Sequence, residues 1–188
     1  KAIPQASLHE VLPVGSKQRR RLKAGLQPKR SHGGLASLGV RKTERPFSPK
    51  SAQHLILKTS RAKGIWNLLH RKNKTKIQKM AYSYAHRYKL DLFRFSNDGH
   101  EIHLLVRAKE RKNLADFLRV FCGRVACVVT GAKKGVFALD PGSSNHRRKF
   151  WDFLTASTLI PWGTEFARIR LQFQEYIQEY VHGLQNEF

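Results

Sequence analysis

Polar and apolar residues alternate between residues 101 and 108, and the polar ones are of types that could do chemistry. In a β-strand, successive side chains point to opposite faces of the sheet. One face of this strand would therefore carry Glu101, His103, Leu105 and Arg107. A carboxylate and an imidazole two residues apart on a rigid strand could hold one divalent cation, which would polarise a phosphate oxygen. The commoner use of such an isolated pair is a polar contact between strands without a metal.

The net charge of the chain points to an anionic partner. Its 188 residues include 36 Lys and Arg against 13 Asp and Glu, which gives a formal net charge of +23. Residues 1–50 hold 12 of the basic residues, 2 of the acidic ones and 5 of the 7 prolines. We predict that residues 1–50 form a basic tail, extended or disordered until it binds a nucleic acid, and that residues 51–188 form the folded domain. A tail that is merely solvated is the alternative.

Composition excludes several classes of protein. Apolar residues make up 40% of the chain, enough for one core of ordinary size, and no apolar run approaches the roughly 18 residues that span a bilayer. We therefore expect no membrane association. The two cysteines, Cys122 and Cys127, exclude a disulfide framework and a thiolate zinc site, and they favour a cytoplasmic protein. P-loop and dinucleotide-binding motifs are also missing from the sequence.

The elements that must position Glu101 and His103 follow from hydrophobic periodicity and turn residues. Helical spacing of apolar residues predicts helices over 73–89, 111–129 and 164–183, the second ending at Gly131. Strands are predicted over 52–59, 90–96, 101–108 and about 155–160, with Asn97-Asp98-Gly99 as a hairpin turn. This order predicts an α+β fold, a ferredoxin-like split βαβ antiparallel sheet with helices on one face, an added C-terminal helix and an extended basic N-terminal tail. The other face of the sheet is then free for a nucleic acid or a catalytic helix.

An ordered set of short motifs extends over residues 31–183. It comprises Ser31-His-Gly-Gly34, Arg45-Pro46, His54-Leu-Ile-Leu57, Ser60-Arg-Ala-Lys-Gly64, the run from Asn97 to Val106, Thr130-Gly131-Ala132, Lys149-Phe150-Trp151-Asp152 and Trp162-Gly163. A terminal helix that contains tyrosines follows. In this order the motifs resemble the REP-associated tyrosine transposases, which belong to the wider HUH single-tyrosine transposase superfamily.

The resemblance implies an enzyme that nicks and rejoins single-stranded hairpin DNA through a 5′-phosphotyrosine intermediate. It implies Tyr176 as the catalytic nucleophile and Mg²⁺ or Mn²⁺ as the cofactor, because a phenol is a poor nucleophile until a metal offsets the charge on the phosphate. The two metal-binding positions of the family fall on Glu101 and His103. The partner implied is single-stranded or hairpin DNA, with RNA as the alternative, and the protein would act as a monomer or homodimer.

The sequence departs from the family at two metal-site positions. Glu101 stands where the family has its first histidine, and Tyr180 stands where the family tends to have an Asn, Gln or similar ligand. Glu101 could still bind Mg²⁺, because this ion prefers hard oxygen ligands. His100 could replace the lost imidazole if a bulge turned it onto the face of His103. Tyr180 could be a substitute nucleophile or a remnant of the ligand site, and His54 would lie near the metal if the family layout holds.

Two functions therefore remain open from the sequence. The first is the metal-dependent transposase, and the second is a catalytically inactive descendant that binds DNA or RNA as part of a nucleoprotein. An RNA-binding ferredoxin-like module is a third, but the third strand lacks the aromatic pair that such a module stacks on bases. In each case we expect phosphate contacts from basic residues in the tail, in loops and at helix ends, namely Arg19, Arg20, Arg21, Lys23, Arg61, Lys63, Arg107, Lys133, Lys134, Arg147, Arg148 and Lys149.

Overall fold

The computed structural model describes residues 30–39, 43–132 and 149–173 of the chain. Within these ranges five strands form one sheet: β1 (Ser31–His32), β2 (Ala52–Lys58), β3 (Leu90–Asn97), β4 (Glu101–Ala108) and β5 (Ala156–Ile160). The helices are α1 (Lys74–Arg87), α2 (Arg111–Thr130) and α3, whose described residues are 164–173. Short 3₁₀ helices lie at Leu35–Ser37 and Gly64–Trp66. Among these helices, none has the length and apolar character that crossing a membrane requires.

The strands are ordered β1-β5-β2-β4-β3, and every neighbouring pair is antiparallel. Without β1, this is the order of a split βαβ sheet, in which α1 connects β2 to β3 and α2 connects β4 to β5. The predicted ferredoxin-like α+β fold is confirmed. The predicted bounds of α1, α2 and strands β2 to β5 agree with the structure within two residues.

Local sequence signals account for the ends of these elements. Gly131 adopts a left-handed conformation, with φ of 74°, and ends α2 as predicted. In the β3–β4 turn, the backbone N–H of Gly99 donates to Asn97 Oδ1 at 3.0 Å. Gly99 has φ of +99°, and a Cβ there would lie 2.9 Å from Asn67 Oδ1. This turn fixes the register in which β3 pairs with β4, because only three residues connect the two strands.

The two faces of the sheet are covered differently. We call the side of Leu55, Leu57, Ile102, Leu104 and Val106 the apolar face, and α1 and α2 pack on it to form the main core. We call the side of His54, Lys58, Glu101, His103 and Arg107 the polar face. The described part of α3 packs on the polar face, where Ile169 and Phe173 join Ala52, Leu105 and Ile160 in a second, smaller cluster. The terminal helix thus covers part of the face that was predicted to be free for a nucleic acid or a catalytic helix.

Part of the segment predicted to be a tail lies on this fold. Ser31–His32 pairs with β5, and Phe47 packs against the main core. Arg45 Nη2 donates to the carbonyl oxygen of Thr155 at 2.9 Å. Gly33 has φ of +80°, and a Cβ there would lie 2.2 Å from the oxygen of Thr155, so only glycine fits. The division of the chain at residue 50 stays a prediction, and residues 1–29 lie outside the described ranges.

Candidate metal centre

The register of β2 and β4 brings the polar side chains together. Lys58 pairs with Glu101, and Ile56 pairs with His103. Residues that pair directly in an antiparallel sheet have side chains on the same face. His54, two residues before Ile56, therefore lies on that face as well, diagonally across from His103. The alternation predicted for β4 holds, since Ile102, Leu104 and Val106 lie in the main core on the other face.

His54 and His103 form a hydrogen-bonded pair under α3. Nε2 of His54 lies 3.2 Å from Nδ1 of His103, and the two rings stack with centroids 5.4 Å apart. The ring of Phe173 lies against both, with centroid distances of 5.3 Å to His54 and 6.2 Å to His103. Phe173 is 2% exposed, so it shields the pair from water on the side of α3.

Burial keeps both imidazoles neutral near pH 7. It lowers the pKa of His54 to about 4, and the charge that His103 would carry lowers that pKa further. Burial also lowers the pKa of His103, although the nearby carboxylates of Glu101 and Asp98 act in the opposite direction. A neutral imidazole has one nitrogen with a free lone pair, which is the form that binds a metal ion.

Asp98, Glu101 and His103 form a cluster at the turn end of β4, and we call it the carboxylate–imidazole cluster. Their candidate ligand atoms all lie within 4.8 Å of one another. Asp98 is held in place because its Oδ1 accepts the backbone N–H groups of His100 at 2.8 Å and Glu101 at 2.6 Å. Glu101 Oε2 lies 3.4 Å from His103 Nε2. Three side chains from one strand and its turn thus converge on one point.

The geometry of this cluster fits a hard divalent cation. Neighbouring ligands of an octahedral ion at about 2.1 Å are separated by about 3.0 Å. The distance of 3.4 Å between Glu101 Oε2 and His103 Nε2 needs only a small adjustment to meet that requirement. Two carboxylates offer the oxygen ligands that Mg²⁺ and Mn²⁺ prefer, and the imidazole adds a nitrogen. The described residues could therefore hold such an ion.

Lys58 competes with a cation for Glu101. Its Nζ lies 2.5 Å from Glu101 Oε1, directly across the β2–β4 pair. The hydrogen bond to Glu101 raises the pKa of Lys58, so the ammonium stays protonated. The side chain of Lys58 is 55% exposed, however, and it can turn into solvent when a cation takes its place. The ion pair thus balances the charge of Glu101 without closing the site.

The structure does not bring His100 to the polar face. His100 is exposed and precedes β4, and Lys58 and Glu101 pair in regular register directly after it. The irregularity in the β3–β4 ladder falls between Leu92 and Arg94 instead of beside Gly99. His54 does lie on the polar face, next to His103. Tyr176 and Tyr180 lie outside the described residues.

Of the predicted phosphate-binding residues that the structure describes, Arg107 is the one on the polar face. Its Nε and Nη2 donate to Asp91 Oδ2 at 2.9 and 2.6 Å, and its guanidinium lies 5.8 Å from the ring of Trp162. Lys63 and Lys149 are exposed in loops, and Arg61 is half-buried. The others lie outside the described residues, namely Arg19, Arg20, Arg21, Lys23, Lys133, Lys134, Arg147 and Arg148.

Sequence reasoning missed three contributors to the site. It interpreted Asp98 only as a turn residue, although its place three residues before Glu101 in a tight hairpin was a usable signal. Lys58 could be found only from the register between β2 and β4. Phe173 could be found only from the way α3 docks on the sheet, because the sequence does not show which residues an apolar side chain on a helix contacts.

The chain was compared with protein families, curated proteins and solved structures. No family model matches the chain, and no curated protein does. Among solved structures it is similar to a crystal structure described as "a putative transposase" from Deinococcus radiodurans R1, with 18% sequence identity and a TM-score of 0.41. The match covers 74% of this chain and 97% of that chain. At this identity and score, function has to be argued from the residues of the chain itself.

Proposed function

We propose that this protein binds nucleic acid and cleaves and rejoins a DNA strand in a metal-dependent reaction, as the REP-associated tyrosine transposases do. The observation that carries the proposal is the carboxylate–imidazole cluster, whose ligand atoms lie within 4.8 Å of one another on the polar face. The net charge of +23 supplies the affinity for a polyanion. A site for a divalent cation in a strongly basic protein suits chemistry on a phosphate.

Glu101 and His103 would hold Mg²⁺ or Mn²⁺, together with Asp98. When bound, such an ion offsets negative charge on the phosphate that is attacked. His103 can offer the lone pair of Nε2 only if its Nδ1 carries the proton and donates to His54 Nε2. The low pKa of His54, about 4, keeps that ring neutral and able to accept. His54 is therefore a positioning residue, which selects the tautomer of His103.

Tyr176 is the proposed nucleophile. The chain has five tyrosines, and the three that are described, Tyr82, Tyr84 and Tyr88, lie on or just after α1 on the apolar side of the sheet. Tyr176 lies three residues after Phe173, and Tyr180 lies seven residues after Phe173. The phenolic oxygen of Tyr176 would bond to phosphorus while the 3′ oxygen leaves and takes up a proton, and rejoining would reverse this exchange.

The direction of α3 supports this choice. The ring of Trp162, just before α3, lies near Arg107, and Phe166 lies 5.4 Å from Phe93. Phe173, at the end of the described part, lies against His54 and His103. The described helix therefore runs along the polar face from the Arg107 end towards the end that bears the carboxylate–imidazole cluster.

The test is a search for a covalent protein–DNA adduct. Labelled hairpin and single-stranded DNA are incubated with the full chain and Mg²⁺ or Mn²⁺, and products are separated under denaturing conditions. We expect an adduct that is lost in Tyr176→Phe and in Glu101→Gln, and that persists in the matched control Tyr180→Phe. Leu171→Ala controls for substitution on α3, since Leu171 is 59% exposed. A substrate panel that yields no adduct dependent on either tyrosine contradicts the catalytic proposal.

One observation favours the second function, an inactive protein that binds DNA or RNA. Lys58, Glu101, His103 and His54 form a continuous chain of polar contacts in which each group already has a partner. Such a chain can stabilise the polar face without any metal. Titration with Mn²⁺ separates the two functions. An inactive binder would still bind nucleic acid, but its wild type and its Glu101→Gln variant would bind Mn²⁺ equally weakly.

A further inference from the structure

The helix α1 and the residues that flank it carry a concentration of positive charge. Residues 71–89 contain 7 Lys and Arg and no Asp or Glu. We call these residues the α1 basic face, and all of them are exposed: Arg71, Lys72, Lys74, Lys76, Lys79, Arg87 and Lys89. No other described element combines this density of cations with a complete lack of acidic residues.

The helix geometry directs three of these cations away from the sheet. Ile77, Ala81 and Ala85 recur every four residues and are buried against the sheet. Lys79 lies on the opposite side of the helix, and Lys76 and Arg87 flank it. Lys76 and Arg87 are 11 residues apart on α1, so the three outward cations form a row about 16 Å long.

The three outward cations of α1 are not balanced within the described part of the protein. Lys76, Lys79 and Arg87 have no ion pair with any described carboxylate. On α2, by contrast, Arg119 pairs with Asp116 at 2.9 Å. The first turn of α1 also lacks an acidic residue, although the helix dipole favours one there. Like charges at such spacings weaken a helix, so this arrangement does not serve the stability of α1.

The α1 basic face and the carboxylate–imidazole cluster lie on opposite sides of the sheet. α1 packs on the apolar face, whereas Glu101 and His103 point to the polar face. A strand bound at the cluster cannot contact Lys76 and Lys79 at the same place, because the sheet and the helix layer lie between them. Any nucleic acid that contacts Lys76 and Lys79 therefore does so at a place separate from the cluster.

We propose that the α1 basic face is a second nucleic-acid-binding surface, which contacts the phosphate backbone of double-helical DNA. The proposal rests on the proposed function, since DNA is taken as the ligand. A duplex has one charge per about 1.7 Å of axis, so a row of about 16 Å faces about ten phosphates. Surfaces that bind unpaired strands combine cations with several stacking rings, and Tyr82 is the one exposed Phe, Tyr or Trp side chain on α1. A straight row of cations suits a stiff duplex.

The test measures binding of the full chain to labelled DNA by fluorescence anisotropy, in EDTA and at several salt concentrations. A short duplex is compared with one of its single strands. The variant Lys76→Gln/Lys79→Gln removes two cations from α1, and the matched control Lys112→Gln/Arg124→Gln removes two exposed cations from α2. We expect the α1 variant to reduce the slope of log K against log salt for the duplex by about 1.8, since each phosphate contact contributes about 0.9. The control should leave this slope unchanged.

A second measurement reports on α1 alone. We expect duplex DNA to protect Lys76 and Lys79 from acetylation, as read by mass spectrometry, and to leave Lys112 reactive. Lys76→Arg/Lys79→Arg should restore the slope, which separates charge from folding. An unchanged slope in the Gln variant, or an equal loss for duplex and single strand, overturns the proposal. EDTA removes the metal, so the binding test does not depend on catalysis. If no Tyr176 adduct forms but the α1 variant reduces the salt slope for the duplex, the proposed function is contradicted and this inference stands.

Discussion

The same two strands present opposite chemistry on the two faces of the sheet. On the apolar face, Leu55 and Leu104 are completely buried against α1 and α2. On the polar face, His54 and His103 are largely buried under α3 with lowered pKa values. Alternation along β2 and β4 therefore separates stability from chemistry within one backbone. The apolar face can hold the fold rigid while the polar face bears groups that are costly to bury.

The helices that cover the two faces differ in how many buried residues the structure shows beneath them. Among the described residues, the main core on the apolar face contains 20 buried residues, whereas the cluster under α3 contains 5. A helix held by few contacts can shift at lower cost than one held by many. The ionisable groups His54 and His103 lie beside the smaller of these two described clusters.

The largest expected effect comes from breaking the apolar face. Phe117 is completely buried on α2, and its ring stacks on Phe121 with centroids 5.4 Å apart. Phe117→Ala should lower the free energy of unfolding by about 3–5 kcal/mol, because it leaves a cavity in the main core. Urea unfolding measures this. Leu171→Ala, at a 59% exposed position, is the control, and an equal loss in both variants would contradict the assignment of the core.

Acid should weaken the polar face next. The folded-state pKa of His54 is about 4, below its ordinary value of 6.5, so the unfolded chain takes up a proton first as the pH falls. The free energy of unfolding should therefore decrease between about pH 6.5 and 4, by at most about 3 kcal/mol from this residue. Urea unfolding at a series of pH values, without metal, measures it. His54→Gln should flatten this part of the profile, and an unaltered profile would show that His54 is not buried as described.

Removing the cover of the polar face should have a smaller effect, which is local. Phe173→Ala admits water to His54, and the pKa of His54 should rise from about 4 towards 6.5 because less desolvation opposes its charge. Titration of the imidazole protons by NMR measures this change. Phe117→Ala is the matched control from the other face, and it should leave the pKa of His54 unaltered. If both variants raise it equally, α3 is not what shields the histidines.

The smallest expected effect on stability is that of Lys58→Ala. Lys58 is exposed, and its ion pair with Glu101 should contribute little to the free energy of unfolding. Removing the ammonium frees Glu101 Oε1, so Mn²⁺ should bind more tightly than to wild type. Glu101→Gln should weaken the same binding, because it removes a charged ligand. Calorimetric titration with Mn²⁺ measures both affinities. If Lys58→Ala binds Mn²⁺ no more tightly than wild type, Lys58 does not compete with a cation for Glu101.

Much of the fold was predictable because its signals are local. The burial stripe of α1, the glycine that ends α2 and the turn at Asn97-Asp98-Gly99 each depend on residues close in the chain. The two-residue strand β1 was not predicted, since a strand of that length has no periodicity to detect. Its pairing with β5 joins residues more than a hundred positions apart, Ser31 with Thr158. Glu101 and His103 could be assigned to one polar site because side chains two residues apart on a strand lie on the same face.

The sequence by itself determined the α+β class, the order of the elements, and the placement of Glu101, His103 and Arg107 on one face of β4. Helices and strands each turn by a fixed angle per residue, so the local pattern of polar and apolar residues indicates which element forms and which side chains share a face. Only the tertiary structure decided that His54 bonds to His103, that Lys58 pairs with Glu101 and that Phe173 covers the two histidines. Those contacts depend on strand register and on helix docking, and both are set by packing across the whole sheet.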